Sequence, residues 1–183
     1  LPGWVGLRAD TNYRSPRDIL ATLNRLLDQP VAAGSPLTGG AVERFPYADV
    51  DELPHATIKA ITRAIGLGFR RSHIAVISYR GREHSAMAPF TRLGPYALRA
   101  PTGRYDLLGN PVLTDGDILI DSVHRFKGRA APCVILTEID FDTLDDRAVR
   151  RLFVGATRAT LKLMLVLSAR AEATLRQRLA DPT

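Results

Sequence analysis

Three short stretches of this 183-residue chain set chemistry-bearing side chains beside rigid supports. In "RADTNYRSPRDIL", Tyr13 and Arg14 stand just ahead of a helix start. Ser15 suits the N-cap there, Pro16 the first helical position, and Asp18 the carboxylate of a capping box. In "RRLFVGATRA", Arg151 and Arg158 are seven residues apart and so close to one helical face, with Gly155 between them. In "DSVHRFKGRAAP", Ser122, His124, Lys127 and the amides around Gly128 follow an apolar run. Guanidiniums fixed on rigid elements suit the stabilisation of phosphate charge. The hydroxyl, imidazole, ammonium and amide groups suit a phosphodiester or a nucleotide. Each stretch also has a plainer reading. Arg151 and Arg158 could pair with Asp145, Asp146 or solvent, which spacing alone favours, and Lys127 could snorkel from an ordinary polar turn. Gly155 is costly inside a helix and leaves room for close approach by a backbone or a ligand.

The elements that must hold these residues alternate along the chain. Short apolar or β-branched runs predict strands near 5–8, 42–45, 74–79, 117–122, 133–138 and 162–167. Helical periodicity predicts helices near 16–28, 52–66, 144–157 and 169–180. Runs such as "IAVISY", "DILIDS" and "LMLVL" are apolar on both faces, as strands covered on both sides require. Strands separated by helices imply right-handed crossovers and a mostly parallel α/β sheet, with ligands expected beyond the carboxyl ends of its strands. From 81 to 116 the rhythm breaks into a Gly- and Pro-rich excursion in which only "YALRA" resembles a strand.

Composition narrows the function classes. The length is enough for one domain with a sizeable core, expected to span 1–183. Lys and Arg number 25 against 19 Asp and Glu, a net charge of +6, which favours polyanionic partners. The single cysteine, Cys133, lies in an apolar run and reads as a small core residue; a chain without an internal disulfide fits a cytoplasmic setting. No apolar run is long enough to span a membrane. The first residue is Leu rather than Met, which points to a piece of a longer protein. No G-x-x-x-x-G-K-[ST] phosphate loop occurs, and "GLGF" at 66–69 reads as a helix C-cap rather than a dinucleotide fingerprint. His55, His73, His84 and His124 are scattered, so no metal cluster is expected, and no G-x-S-x-G elbow occurs. The chain offers no complete catalytic set of its own.

Taken in order, "TNYRSPRDIL", "IAVISYR", "DSVHRFKG" and "RRLFVGATRATLKLMLVLS" resemble the second motor domain of UvrD/Rep-type superfamily 1 DNA helicases. The first is similar to motif IV (N-Y-R-S), the third to motif V (T-x-H-x-x-K-G) and the last to motif VI (V-x-x-T-R-A). The resemblance implies a RecA-like three-layer α/β sandwich that lacks its own phosphate loop, within a cytoplasmic protein of DNA repair. It implies that Tyr13 stacks on adenine, and that Arg14 and Arg158 act as catalytic fingers on the γ-phosphate. Lys127, Gly128 and Gly155 would lie at the nucleotide, and Ser122 and His124 at single-stranded nucleic acid, DNA first. It also implies ATP with Mg2+, the metal ligands being carried by an N-terminal P-loop motor domain of the same parent chain.

Two departures from the family pattern stand out. Where motif V usually continues K-G-L-E, with the Glu on the ribose, this chain reads Lys127, Gly128, Arg129, Ala130. The accessory domain that large relatives insert between motifs IV and V is absent here or reduced to the excursion. Two other functions remain open on these residues: a non-catalytic nucleic-acid or nucleotide-binding module, and an ATPase switch attached to a nuclease domain.

Overall fold

A computed structural model describes residues 11–180; the expected strand at 5–8 lies outside them. Apolar β-branched runs build the centre. Strands β1 (Thr11–Asn12) and β2 (Ala32–Ala33) flank helix α1 (Arg17–Asn24), followed by β3 (Glu43–Tyr47), α2 (Leu53–Gly66) and β4 (Ile74–Ser78). The excursion contributes β5 (Arg92–Leu93), β6 (Tyr96–Arg99), β7 (Pro101–Tyr105) and β8 (Pro111–Leu113). The chain then runs through β9 (Ile118–Ser122), β10 (Ala131–Ile139), α3 (Asp146–Ala156), β11 (Ala159–Ser168) and α4 (Ala169–Ala180).

Seven strands form one sheet in the order β3-β11-β10-β4-β9-β6-β5, parallel except for the β5–β6 pair. This is the mostly parallel α/β architecture expected from the sequence. Alternation along β10 divides the core in two. Val134 and Leu136 face Ile19, Leu23, Leu152 and Leu175 of α1, α3 and α4. Cys133 and Ile135 face Leu53, Ala60 and Ile61 of α2. Helices thus cover both faces of the sheet, which is why its central strands are apolar throughout. Cys133 is fully buried, and burial pushes its thiol up to about 12. It is the inert core residue its sequence context predicts.

Helix ends show where local signals hold and where tertiary partners win. At the end of α2 the Gly68 N–H donates to the Ile65 carbonyl and the Phe69 N–H to that of Ala64, with Gly68 at φ +91°. This Schellman arrangement is the C-cap that "GLGF" predicts. At α1 the outcome differs. Pro16 occupies the N-cap position and no side chain caps the helix. Ser15 is fully buried and donates its hydroxyl to the Thr157 carbonyl (3.3 Å), while Asp18 accepts the N–H groups of Gly39 and Gly40. Long-range backbone partners have drawn off both groups that a local capping box would use. The excursion is also more ordered than its composition suggests. It adds β6 to the main sheet and folds β7 and β8 into an antiparallel hairpin.

Candidate functional site

The residues singled out in sequence gather in two places, at opposite ends of the parallel strands. The first lies at the amino ends of β10 and β11. Asn12 Oδ1 accepts the N–H groups of Arg14 and Ser15 (2.9 Å each), an Asx turn that fixes the backbone under Tyr13 and Arg14. Tyr13 is 76% exposed, yet one side of its ring lies close to Gly34. A Cβ built on Gly34 would fall 2.4 Å from Tyr13 Cδ1. The glycine therefore makes room for a ring that remains largely open to solvent. Arg158 leaves the turn between α3 and β11. Its Nε donates to the Val154 carbonyl (3.0 Å) and its Nη1 to that of Arg129 (3.5 Å). Desolvation lowers the pKa of this guanidinium, and repulsion from Arg14 lowers it further. Two cations that repel one another this way suit an anion with several charged oxygens.

The second place is a small pocket at the carboxyl ends of β4 and β9. Ser78, Asp121, Ser122 and Arg125 line it from the sheet side, and Arg82 and Ser85 from the excursion. Asp121 anchors its charges. Burial raises the pKa of this carboxyl, opposed by the Ser122 N–H and by the nearby Arg125, Arg129 and Arg82. Arg125 Nε lies 3.8 Å and Arg129 Nη1 4.0 Å from the carboxylate. Three guanidiniums around one carboxylate leave an excess of positive charge, as a phosphodiester requires.

Residues 123–130 join the two places. Ser122 pairs with Ser78 and Ser78 with Thr137, whereas Ala131 stands six residues earlier on β10. That interval is roughly 20 Å of strand. The segment descends it through helical turns, the Phe126 N–H donating to the Ser122 carbonyl and that of Arg129 to Phe126. Buried Val123 and Phe126 fasten it to the core.

Residues 117–166 match the family model for the UvrD-like helicase C-terminal domain, a span from the start of β9 into β11. The fold is similar to that of the C-terminal domain of a possible DNA helicase from Lactobacillus plantarum WCFS1. The TM-score is 0.62 at 16% identity, covering 91% of this chain and 96% of that one. The chain resembles a UvrD-like helicase C-terminal domain in sequence and in fold. No curated protein matches it in sequence. A helicase C-terminal domain is one part of a helicase.

The remaining sequence expectations fall out unevenly. His124, Lys127 and Gly128 are exposed on the joining segment, Gly128 at φ +86°. Gly155 is corrected from a nucleotide contact to a packing position. It is buried against the sheet, and a Cβ there would meet Leu136 at 2.8 Å and Val123 at 3.3 Å. The helical spacing of Arg151 and Arg158 does not carry over either, because α3 ends at Ala156. Arg151 instead lies 5.1 Å over the Tyr79 ring, away from Arg158. Arg129, one of the motif V departures, stacks over Phe126 and reaches Asp121, while Ala130 is exposed. Ser122 ends its strand at the carboxyl side of the sheet, whereas Arg158 precedes β11 and the Tyr13–Arg14 loop is tied to Thr157 on that amino side.

Sequence reading missed Gly34, Arg82, Ser85 and Arg125. Arg125 sits inside a quoted motif and was legible as a fourth basic group there; Gly34 and Ser85 carry no local signal. A larger cleft of about 540 Å³ between Tyr47, Arg80, Glu138, Asp140 and Arg170 does not add an anion site. Both its arginines are held by Asp140, at 3.0 Å from Arg80 and 2.6 Å from Arg170.

Proposed function

We propose that this chain is the second motor domain of an ATP-dependent DNA helicase or translocase, completing an ATP site shared with a P-loop motor domain. The observation that carries the reading is the convergence of Tyr13, Arg14 and Arg158. Two loops far apart in sequence are tied by the Ser15–Thr157 hydrogen bond, which brings Arg158 near enough to the Tyr13–Arg14 loop for Arg14 to repel it.

In this reading Tyr13 stacks on adenine and Arg14 and Arg158 stabilise charge on the transferring γ-phosphoryl group. The backbone bonds to Val154 and Arg129 hold Arg158 ready, so little ordering remains to be done when the domains close. Lys127 and Gly128 stand on the exposed turn leading to the same edge. Mg2+ ligands and the phosphate loop belong to the partner domain of the parent chain. Single-stranded DNA runs past Ser122 and His124, with Arg82 and Arg125 on its phosphates. Fastened to the core between the two places, the 123–130 segment transmits closure at the nucleotide to the strand. The buried free thiol and the absence of a disulfide support a cytoplasmic setting.

Arg158→Ala in the full-length protein tests this. DNA-stimulated ATP hydrolysis is expected to fall by about 10³-fold or more, with single-strand binding retained. Near wild-type turnover would sink the finger assignment. A second reading, a non-catalytic nucleic-acid-binding module, is favoured by Ala130, which cannot supply the ribose contact of the usual Glu. A parent chain whose upstream domain lacks a phosphate-loop lysine would decide for it.

A further inference from the structure

We infer that Glu138 is a positioning residue for the strand pocket, holding the wall that carries Arg82; the inference rests on the reading of that pocket as a DNA site. Glu138 lies next to last in β10, between Leu136 and Ile139, where the register with β11 shifts. Its φ is +62°, the one positive value among the described non-glycine residues. A left-handed conformation costs a residue with a Cβ on the order of 1–2 kcal/mol and would cost glycine almost nothing. The side chain is nonetheless buried, at 2% exposure, and forms no ion pair among the described residues.

What the carboxylate does form is a clamp. It accepts the Ser85 hydroxyl at 2.6 Å and the Ala86 N–H at 2.7 Å. Ser85 Oγ in turn accepts the Met87 N–H (3.2 Å), and Met87 is fully buried in the α2-side core. Short hydrogen bonds to a charged acceptor are the strong kind, and they offset both the strain and the burial of the charge. The clamp holds the start of the excursion where it leaves the sheet. Arg82 is the first residue of the turn Arg82–His84, immediately before Ser85, and Arg82, Ser85 and Ala88 form one wall of the pocket. Ile120, Ser122 and Arg125 form the wall opposite. Those residues stand on β9 and the turn after it, fixed by the sheet. The Arg82 wall is fixed by Glu138.

The test is single-strand binding by the full-length protein, using fluorescent oligo(dT) over a range of salt. Arg82→Ala is expected to lower the slope of log affinity against log salt by about one, as loss of one phosphate contact does. Glu138→Gly relieves the backbone strain and removes the clamp. It is expected to lower the slope by the same amount, and the double variant to lose nothing more. Glu138→Gln keeps the side-chain volume and guards against a folding defect. It is expected to weaken binding in the same direction by about threefold, since a neutral acceptor holds its donors less well. If Arg82→Ala reduces the slope while both Glu138 variants bind as wild type, the clamp is not what positions Arg82 and the inference is overturned. If Arg82→Ala itself leaves slope and affinity unchanged, the reading of the pocket as a DNA site fails, and the inference falls with it.

Discussion

Tyr13 owes its display to what Gly34 lacks. The ring lies against a backbone that no Cβ interrupts, with Thr11 Cγ2 only 2.8 Å from where that atom would be. Gly34→Ala would therefore tilt or lift the ring without touching the core, and the 76% exposure of Tyr13 lets it move at little cost to folding. The expected result is a fivefold or so loss of nucleotide affinity in the full-length protein, the worth of about 1 kcal/mol of aromatic stacking, with the thermal midpoint nearly unchanged. Unchanged affinity would remove Tyr13 from the nucleotide site. The pair shows what a sequence reading reaches at this scale. Tyr13 and Arg14 stood out because type and spacing mark them, whereas Gly34 acts through an absence twenty residues away. Gly155 was noticed for the same missing Cβ but given the wrong neighbour: the space it leaves is filled by Leu136, which nothing local could tell. Glu138 carried no signal at all, since its importance lies in a φ value and two bonds to the excursion.

Between elements, Asp140 is the junction. Just past β10, it accepts two bonds from Arg170 at the start of α4 (2.7 and 2.6 Å), one from Ser168 of β11 (2.7 Å) and one from Arg80 beyond β4 (3.0 Å). The Arg170 bonds, ahead of those from Ser168 and the charge of Arg80, draw its pKa from the usual carboxylate range to about 2. A carboxyl depressed in the folded state contributes stability that is fully present above its ordinary value and lost as pH falls from about 4 through 2. Because both guanidiniums are half exposed, solvent screening reduces this to about 1–2 kcal/mol. Asp140→Asn is expected to be less stable by that amount at pH 7 in chemical denaturation, with the gap to wild type closing toward pH 2. A gap constant with pH would show that charge is not what Asp140 contributes. At this scale the sequence was most legible: apolar runs and helical periodicity marked the central strands of the main sheet and the four α-helices among the described residues, because burial on both faces writes itself into every residue of a strand. The two-residue pair β1–β2 was too short to leave a pattern. The hairpin of β7 and β8 escaped notice, since a two-stranded element exposed along most of its length leaves only turn residues as its trace.

Across the whole molecule the proposed function makes this chain one half of a shared site. In that reading Arg14, Arg158 and Tyr13 serve a nucleotide, no G-x-x-x-x-G-K-[ST] phosphate loop occurs in the sequence, and the net charge of +6 suits a polyanionic track. No helix among the described residues is long and apolar enough to cross a membrane. Arginine fingers stabilise charge that develops on a phosphoryl group held elsewhere, so without that holder they have nothing to act on. The purified 183-residue domain is therefore expected to show no ATP hydrolysis above buffer, measured with and without single-stranded DNA. It should still bind the strand weakly, and losing affinity steeply between 50 and 200 mM salt is the mark of phosphate contacts. Mixing it with the separately purified upstream domain should restore hydrolysis in proportion to the complex formed, and Arg158→Ala in this half alone should abolish the gain. Turnover by the isolated domain would mean that a second, self-contained site exists and that the shared-site argument is wrong. Hydrolysis on mixing that ignores Arg158 would leave the partnership intact but move the finger to another residue, Arg14 being the remaining guanidinium beside Tyr13.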